Sequence, residues 1–402
     1  MANWICTQQG AREHYAIPRA LASVGRLGGL ITDAWVHPGS WFARLSGGLG
    51  KRLAGRYHPE LAGQKIAAFT KQFARIELSQ RIRRRSGVAF YIARNDAFDR
   101  ACAQIVERDD SPPGSVFFGF CHANRHAFPV AKAKGFRTIL GQFDPGPREQ
   151  DIVERECEAR PEIQTTWQRY SAELVASWRE EVVLSDAVIV NSAWSRECLV
   201  ATGVPLEKIV VVPLVYTTGA PRGITREYPA RFTRERPFRV LFLGQVNLRK
   251  GIARLLDAAK ILIGRPVEIR LVGPTDISNL AELSRGLPVK YYGPVPRAEV
   301  EQHYREADIF ILPTLSDGYA ITQLEAMAWG LPVIASRYCG SVVQHERNGI
   351  ILSEPTGEVI AATLDKFIEK PESLRRLSAG ISAPDFGLDQ LAQTLIEMET
   401  DP

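Results

Sequence analysis

Asp317-Gly-Tyr-Ala-Ile-Thr-Gln-Leu-Glu325, followed by Ala-Met-Ala-Trp-Gly-Leu-Pro-Val-Ile-Ala, sets two carboxylates around a small-residue turn that opens a helix. Gly318 and Ala320 allow a backbone to approach a ligand closely. The helix beginning near Ile321 turns its free N–H groups and positive dipole end toward that ligand, so an anion is expected there. Asp317 just before the helix and Glu325 about one turn inside it can both accept hydrogen bonds from paired hydroxyls. Phosphate at a helix end with hydroxyls on carboxylates describes a nucleotide-sugar site rather than a plain phosphate site. A second signal is Leu241-Phe-Leu-Gly244-Gln245-Val-Asn247-Leu-Arg249-Lys250-Gly251, a buried strand running into a glycine turn, a polar loop and a helix start. Arg249 and Lys250 are placed there to stabilise a departing diphosphate without a metal. No Asp-x-Asp metal motif occurs in the chain.

These groups need a scaffold that delivers loops to one crevice. Short apolar runs and helical patterns alternate from Phe238 to Gly244, Ile252 to Ile263, Val267 to Gly273, Val289 to Gly293, Arg297 to Ala307, Asp308 to Thr314 and Pro332 to Ser336. That rhythm predicts a parallel, doubly wound α/β sheet. The first half repeats it more loosely, with strands expected at Trp4 to Thr7, Leu30 to Val36, Val116 to Cys121, Arg137 to Phe143 and Ala187 to Asn191. Residues 216–237 carry three prolines and two glycines among charges, the composition of a linker. The reading is therefore two Rossmann-like domains facing across a cleft: 1–215, taking the acceptor, and 238–385, taking the donor. Residues 386–402 form a terminal helix that packs back on the first domain. Facing carboxyl-edge crevices suit group transfer.

Composition bounds the classes. A chain of 402 residues with 45% hydrophobic and 24% charged residues is an ordinary two-domain globular protein. No apolar run is long enough to cross a bilayer, and Met1 to Gln9 reads as a strand rather than a leader, so a cytoplasmic protein is expected. Six scattered cysteines without a Cys-x-x-Cys pair argue against a zinc site or a disulfide framework. The net charge of +5 is concentrated between Arg44 and Arg85, interleaved with Trp41, Phe42, Leu45, Phe69, Phe73 and Ile76. A solvated helical face packed on its apolar side explains this region, with peripheral contact to anionic lipid as the alternative. No motif for binding nucleic acid accompanies the charge.

At this point the chain resembles the retaining glycosyltransferases of GT-B fold, family 4 or group 1. That family carries a Glu-x7-Glu segment around Gly-Phe-Gly, then Glu-Ala-Met-Ala-x-Gly-x-Pro-Val-Ile-Ala, with an Arg and a Lys in the loop after the first strand of the second domain. Glu325, Lys250 and Ala326 to Ala335 match it. The resemblance implies that Glu325 holds the donor ribose, Lys250 the diphosphate, and the backbone of Gly318, Tyr319, Ala320 and Ile321 the phosphate and sugar. It implies no cofactor beyond the nucleoside diphosphate-sugar substrate. Asp317 stands where the family has the first Glu, Gln245 where it usually has Arg, and Tyr319-Ala320 where it has Phe-Gly; Arg249 can supply the charge that Gln245 lacks. Gly244 and Gly293 are further donor-side candidates. In the first domain, the loop Gln9-Gly10-Ala11-Arg12-Glu13 is similar in place to the glycine-rich loop over the donor phosphates, which makes Gly10 a candidate. Asn191 to Arg196 and Gly203 to Pro213 look like the family's last unit of that domain. Many members have a His after the strand ending here in Gln142-Phe-Asp144, which assigns the acceptor side to Asp144.

Two histidines, His122 and His126, stand four apart and invite a metal reading, but no third ligand or general-base Glu accompanies them. His122 is kept as an acceptor-side residue. Trp167, Trp178 and Trp194 have spacing compatible with helical core packing. The expectation is a metal-independent retaining transferase, as used in polysaccharide biosynthesis, with an unidentified acceptor: glycan, lipid-linked saccharide or small metabolite. A nucleotide-sugar epimerase of the same architecture and a non-catalytic sugar-nucleotide-binding subunit remain as alternatives.

Overall fold

The computed structural model describes residues 3–40, 55–83, 88–216, 224–382 and 386–399. Thirteen strands form two parallel sheets. The first contains β1 (Trp4–Gln8), β2 (Leu27–Thr32), β3 (Ile66–Ala68), β4 (Val116–Phe120), β5 (Arg137–Gln142), β6 (Ala187–Val190) and β7 (Ile209–Val211), in the order β3-β2-β1-β4-β5-β6-β7. The second contains β8 (Phe238–Leu243), β9 (Val267–Val272), β10 (Val289–Gly293), β11 (Ile309–Leu312), β12 (Val333–Ser336) and β13 (Gly349–Leu352), in the order β10-β9-β8-β11-β12-β13. Each sheet reverses its winding direction beside its first strand, between β1 and β4 and between β8 and β11. Loops leaving the carboxyl ends there diverge and open a crevice.

The central strand β11 reads as an unbroken apolar run because helices cover both faces. Ile309-Phe-Ile-Leu312 is buried at all four positions. Ile252, Leu255, Leu256 and Ala259 lie at helical spacing on the buried face of the helix Ile252–Ile261, which packs on the helix Gly357–Glu369. Each domain has its own core, so each crevice rests on rigid strand ends.

The second expected strand lies earlier than its sequence suggested, at Leu27–Thr32 rather than 30–36. Pairing to β1 begins at Trp4 with Leu27, running through Gly28 and Gly29, which apolar periodicity does not count. The strand ends at Thr32 because Asp33 is spent on the loop after β1, where its Oδ1 accepts from Gly10 N at 2.9 Å. The edge strands β3, β7 and β13 have three or four residues each, too short to show a period.

Residues 224–237 contain no helix or strand, yet Tyr228 and Phe232 are buried in the core of the second domain. Arg226 donates to the Tyr304 and Trp329 carbonyls, clamping this connection to the second domain. The helix Leu388–Glu397 buries Leu391, Ala392 and Leu395 with the first domain's Ala16, Ile17 and Leu21. Burying each leucine contributes about 1.5–3 kcal/mol. Trp4 Nε1 then donates to Glu399 at 2.9 Å, joining the chain's two ends.

The domains meet through polar contacts near the cleft. Arg254 forms a two-pronged pair with Glu156, at 2.9 and 2.7 Å. Residues 164–166 exchange backbone hydrogen bonds with 276–278. Here the expectation for the tryptophans is corrected. Trp178 is a core residue, but Trp194 donates across the interface to Ser316 Oγ at 3.1 Å, and Trp167 lies outside any helix on the cleft wall. Both face the partner domain, which spacing along one chain cannot reveal.

Of the basic region 44–85, Arg44, Lys51, Arg52, Arg84 and Arg85 lie outside the described residues, as do Trp41, Phe42 and Leu45. Arg56 pairs with Asp33, Lys65 with Asp109, and Phe73 is buried. Among the described residues, no helix is long and apolar enough to cross a membrane.

Candidate functional site

The turns after β8 and β11 are stitched together before any side chain reaches the cleft. Leu315 N donates to Arg249 O at 2.9 Å, and Thr314 Oγ1 donates to the same oxygen at 3.1 Å. Lys250 N donates to Asn247 Oδ1 at 3.1 Å, closing the polar loop. This lattice brings Lys250 against Asp317, in an ion pair between Nζ and Oδ2. Arg249 lies 3.7 Å from Asp317 Oδ1 and 3.6 Å from Glu149 Oε2 of the first domain. Burial, reinforced by the Arg249 charge, pushes the Lys250 ammonium down to about 7. Contact with the Asp317 carboxylate works against that push. Burial raises the Glu149 carboxyl to about 7, opposed by Arg249.

Between the domains lies a cavity of about 480 Å³ whose walls include Asp144, Glu149, Trp167, Gln245, Arg249 and Asp317. Gly318 is on the same wall. An added Cβ there would stand 2.3 Å from the Phe143 carbonyl oxygen, so this position must lack a side chain for the domains to meet as they do. Sequence reasoning gave Gly318 to a ligand; the structure gives the close approach to the opposite domain.

Glu325 faces elsewhere. It lies in the seven-residue helix Thr322–Ala328, and its Oε2 accepts from the buried Tyr304 hydroxyl at 2.8 Å. It is not on the wall of the interdomain cavity, whereas Asp317 is. Burial, and then the Glu325 charge, hold the Tyr304 hydroxyl protonated and donating.

The turn between the carboxylates is strained at one point. Ala320 has φ +63°, a left-handed conformation costing a non-glycine residue about 1–2 kcal/mol. Tyr319 holds the turn through its carbonyl, which accepts from Gly340 N at 3.1 Å and Gln323 Nε2 at 3.0 Å. Ile321 caps the short helix.

Gly244 and Gly273 are matched: a Cβ on Gly273 would stand 1.9 Å from Gly244 O, so the turns after β8 and β9 touch backbone to backbone. Gln245 is exposed at the cavity rim. Gly293 ends the edge strand β10, two strands from β8, away from the cavity wall.

In the first domain, Gly10 sits in a loop held by Gln8 Nε2, which donates to the Gly10 and Arg12 carbonyls at 3.0 and 2.9 Å. Asp144 is fixed on the cavity wall, accepting from Gln142 Nε2 at 2.6 Å, Gly146 N at 2.9 Å and the Tyr170 hydroxyl at 3.2 Å. His122 is buried in the turn after β4, with its ring 5.9 Å from that of Tyr170 and 6.1 Å from that of Phe143. Burial lowers its pKa, against the pull of Asp144. His122 and His126 do not share a helical face: His122 has φ +76°, and the helix starts only at Ala127. His126 Nε2 is 2.9 Å from Asp96.

Sequence reasoning missed Glu149, Tyr170 and Tyr304. The first two follow the strand β5 by 7 and 28 positions, with no local pattern to mark them. Tyr304 appeared only as one apolar position of an amphipathic helix.

Residues 237–370 match the family model described as Glycosyl transferases group 1. The D-inositol 3-phosphate glycosyltransferase of Thermobispora bispora is 29% identical over 250 residues, covering 55% of this chain and 58% of that protein. The amylovoran biosynthesis glycosyltransferase AmsK of Erwinia amylovora is 29% identical over 195 residues, covering 44% of this chain and 45% of its own. The chain thus spans about half the length of these curated relatives. Among solved structures, Anabaena HepE in complex with UDP-glucose superimposes with a TM-score of 0.61 at 16% identity, covering 99% of both chains. Sucrose-phosphate synthase from Thermosynechococcus elongatus gives 0.63 at 15% identity, covering 99% of this chain and 98% of that one. Residues 237–370 are thus similar to the group 1 glycosyltransferases, and the two parallel sheets place the chain on the two-domain GT-B fold.

Proposed function

We propose that the protein is a retaining glycosyltransferase that moves a sugar from a nucleoside diphosphate donor to an acceptor bound by the first domain. The observation that carries the reading is the cluster of Lys250, Arg249 and Asp317 at the mouth of the β8/β11 crevice, beside the interdomain cavity. Two cations fixed by backbone bonds are pre-organised for the charge that a leaving diphosphate gains, and such preorganisation is the main source of catalysis in group transfer. A diphosphate that engages Lys250 leaves Asp317 to accept from sugar hydroxyls. Glu325, oriented by Tyr304, is the ribose partner. In a front-face reaction the leaving phosphate oxygen takes the acceptor proton, so the protein supplies positioning and charge rather than a base. HepE binds UDP-glucose on the same fold, which supports a nucleotide-sugar donor.

The test has two parts. A panel of nucleotide sugars is screened for the one that raises the melting temperature, and turnover is then measured with Lys250→Ala. The variant should lose both the stabilisation by donor and turnover. Wild-type turnover in that variant removes the proposal, and rapid epimerisation of the donor without acceptor replaces transfer with isomerisation.

A further inference from the structure

The carboxyl ends of β1 and β4 hold a second, smaller cavity of about 70 Å³, lined among others by Gln9, Arg12, Arg94, Asn95, Phe120 and Phe143. Its polar atoms are conspicuously unspent. Among the described residues, Gln9 Nε2 and Arg94 Nε are buried donors without a partner, and Asn95 Oδ1 is a buried acceptor without one, on a residue only 5% exposed whose side chain otherwise meets Tyr91. Buried polar groups are otherwise paired in folded proteins, so three orphans on one wall mark a place where something else supplies the partners.

Charge selects what that is. Five other arginines of this domain, Arg19, Arg26, Arg56, Arg100 and Arg125, each pair with a carboxylate. Among the described residues, no carboxylate lies within ion-pair distance of Arg12 or Arg94. Arg12 instead lies over the Phe143 ring at 3.9 Å, and Arg94 near the Tyr91 ring at 5.9 Å. Stacking occupies the face of a guanidinium and leaves its N–H edge for a bidentate acceptor. Of the neighbouring acids, Asp33 is committed to Arg56 and Gly10 N, Asp99 to His126 N and Ala127 N, and Asp144 to Gln142, Gly146 and Tyr170, while burial pushes Glu13 up to about 7 against the pull of Arg12. A water takes about 30 Å³ of liquid volume, so the cavity has room for one small group.

We propose that Arg12 and Arg94 form an anion-binding pocket that selects an acceptor carrying a phosphate ester or a carboxylate beside its hydroxyls. Gln9 donates to the same group, and Asn95 Oδ1 takes a neighbouring hydroxyl. Phe143 lines both this pocket and the interdomain cavity, so the anion sits one side chain from the place of transfer. Calling the ligand an acceptor rests on the transferase reading; the anion selectivity does not.

The test uses calorimetry on the full chain with UDP present at saturation, titrating glucose 6-phosphate, glucuronate and glucose. At least one anionic sugar should bind tenfold or more tightly than glucose, and comparing the two tells a phosphate ester from a carboxylate. Arg94→Gln should abolish the preference without changing the UDP affinity, and Arg94→Lys should restore part of it. Equal affinities for all three sugars in the native protein, or a preference that survives Arg94→Gln, overturns the pocket. Repeating the titration in Lys250→Ala separates the two readings: a preference kept while UDP binding is lost supports both. Retained UDP binding in that variant would remove only the donor-site assignment.

Discussion

Lys250 and Asp317, 67 positions apart, form an ion pair across the turns that follow β8 and β11. The pair sits where burial penalises each charge, and burial with the Arg249 charge holds the native Lys250 ammonium down to about 7. Asp317→Asn removes the carboxylate in contact with the ammonium, so Lys250 should lose its proton at a lower pH than in the native protein. Raising the pH then removes the charge that holds a diphosphate. The affinity of the variant for the nucleoside diphosphate identified by screening should therefore fall as pH rises from 6 to 8, by up to about tenfold per unit above the pKa. Calorimetric titration at three pH values checks this, and a fall that begins at the same pH as in the native protein would show that Asp317 does not hold the proton.

Tyr304→Phe removes the hydroxyl that donates to Glu325 Oε2 and changes almost nothing else in volume. Glu325 keeps its charge but loses its orientation. A hydrogen bond to a charged group is worth about 1.5–3 kcal/mol. The KM for donor should rise roughly tenfold, with kcat changed far less, because the contact is made with the ribose and not the reacting centre. A fall in kcat at constant KM would place Glu325 in the chemistry instead.

Much of this was legible in the sequence, and the reason is physical. β8, β9, β11 and β12 are mostly buried, so apolar residues dominate them despite Arg239, Glu268 and Arg270, and the turns after β8 and β11 carry glycines and the charges Arg249, Lys250 and Asp317 within ten residues. Local order in the chain and local order in space coincide there. What was not legible involves residues distant in sequence that meet only when the domains face each other. Trp194 on Ser316, Glu149 beside Arg249 and Gly318 under Phe143 have no periodicity that announces them. The Arg12 and Arg94 pocket is of the same kind, since its arginines lie 82 positions apart on different elements.

Glu149 makes the folded state sensitive to pH in a definite direction. Unfolded, its carboxyl ionises near 4.5; folded, burial raises it to about 7. Between those values the unfolded chain releases a proton that the folded chain retains, so this group costs stability as pH rises through that window and no more beyond it. Glu149→Gln removes the titration. The variant should be more stable than the native protein at pH 8, by roughly 1–3 kcal/mol before any loss from the Arg249 contact. At pH 4 the gain should vanish. Urea unfolding at the two pH values measures it, and an equal difference at both would mean that Glu149 is ionised in the folded protein.

Gly318→Ala tests whether the domain contact at the cleft matters to transfer. The added methyl group would stand 2.3 Å from the Phe143 carbonyl oxygen, closer than real contacts allow, and the obstacle is backbone rather than a side chain that can swing away. Each domain keeps its own core, so both should remain folded with unchanged circular dichroism. Relief requires the second domain to move off the first, which lengthens the distance between the Arg249–Lys250 cluster and the Asp144 wall. A misplacement of about 1 Å can cost on the order of a hundredfold in rate. Small-angle scattering should show a larger radius of gyration, and turnover should fall at least tenfold while binding of nucleoside diphosphate to the isolated crevice persists. Native turnover with native dimensions would mean that the cleft closes without the Gly318 contact.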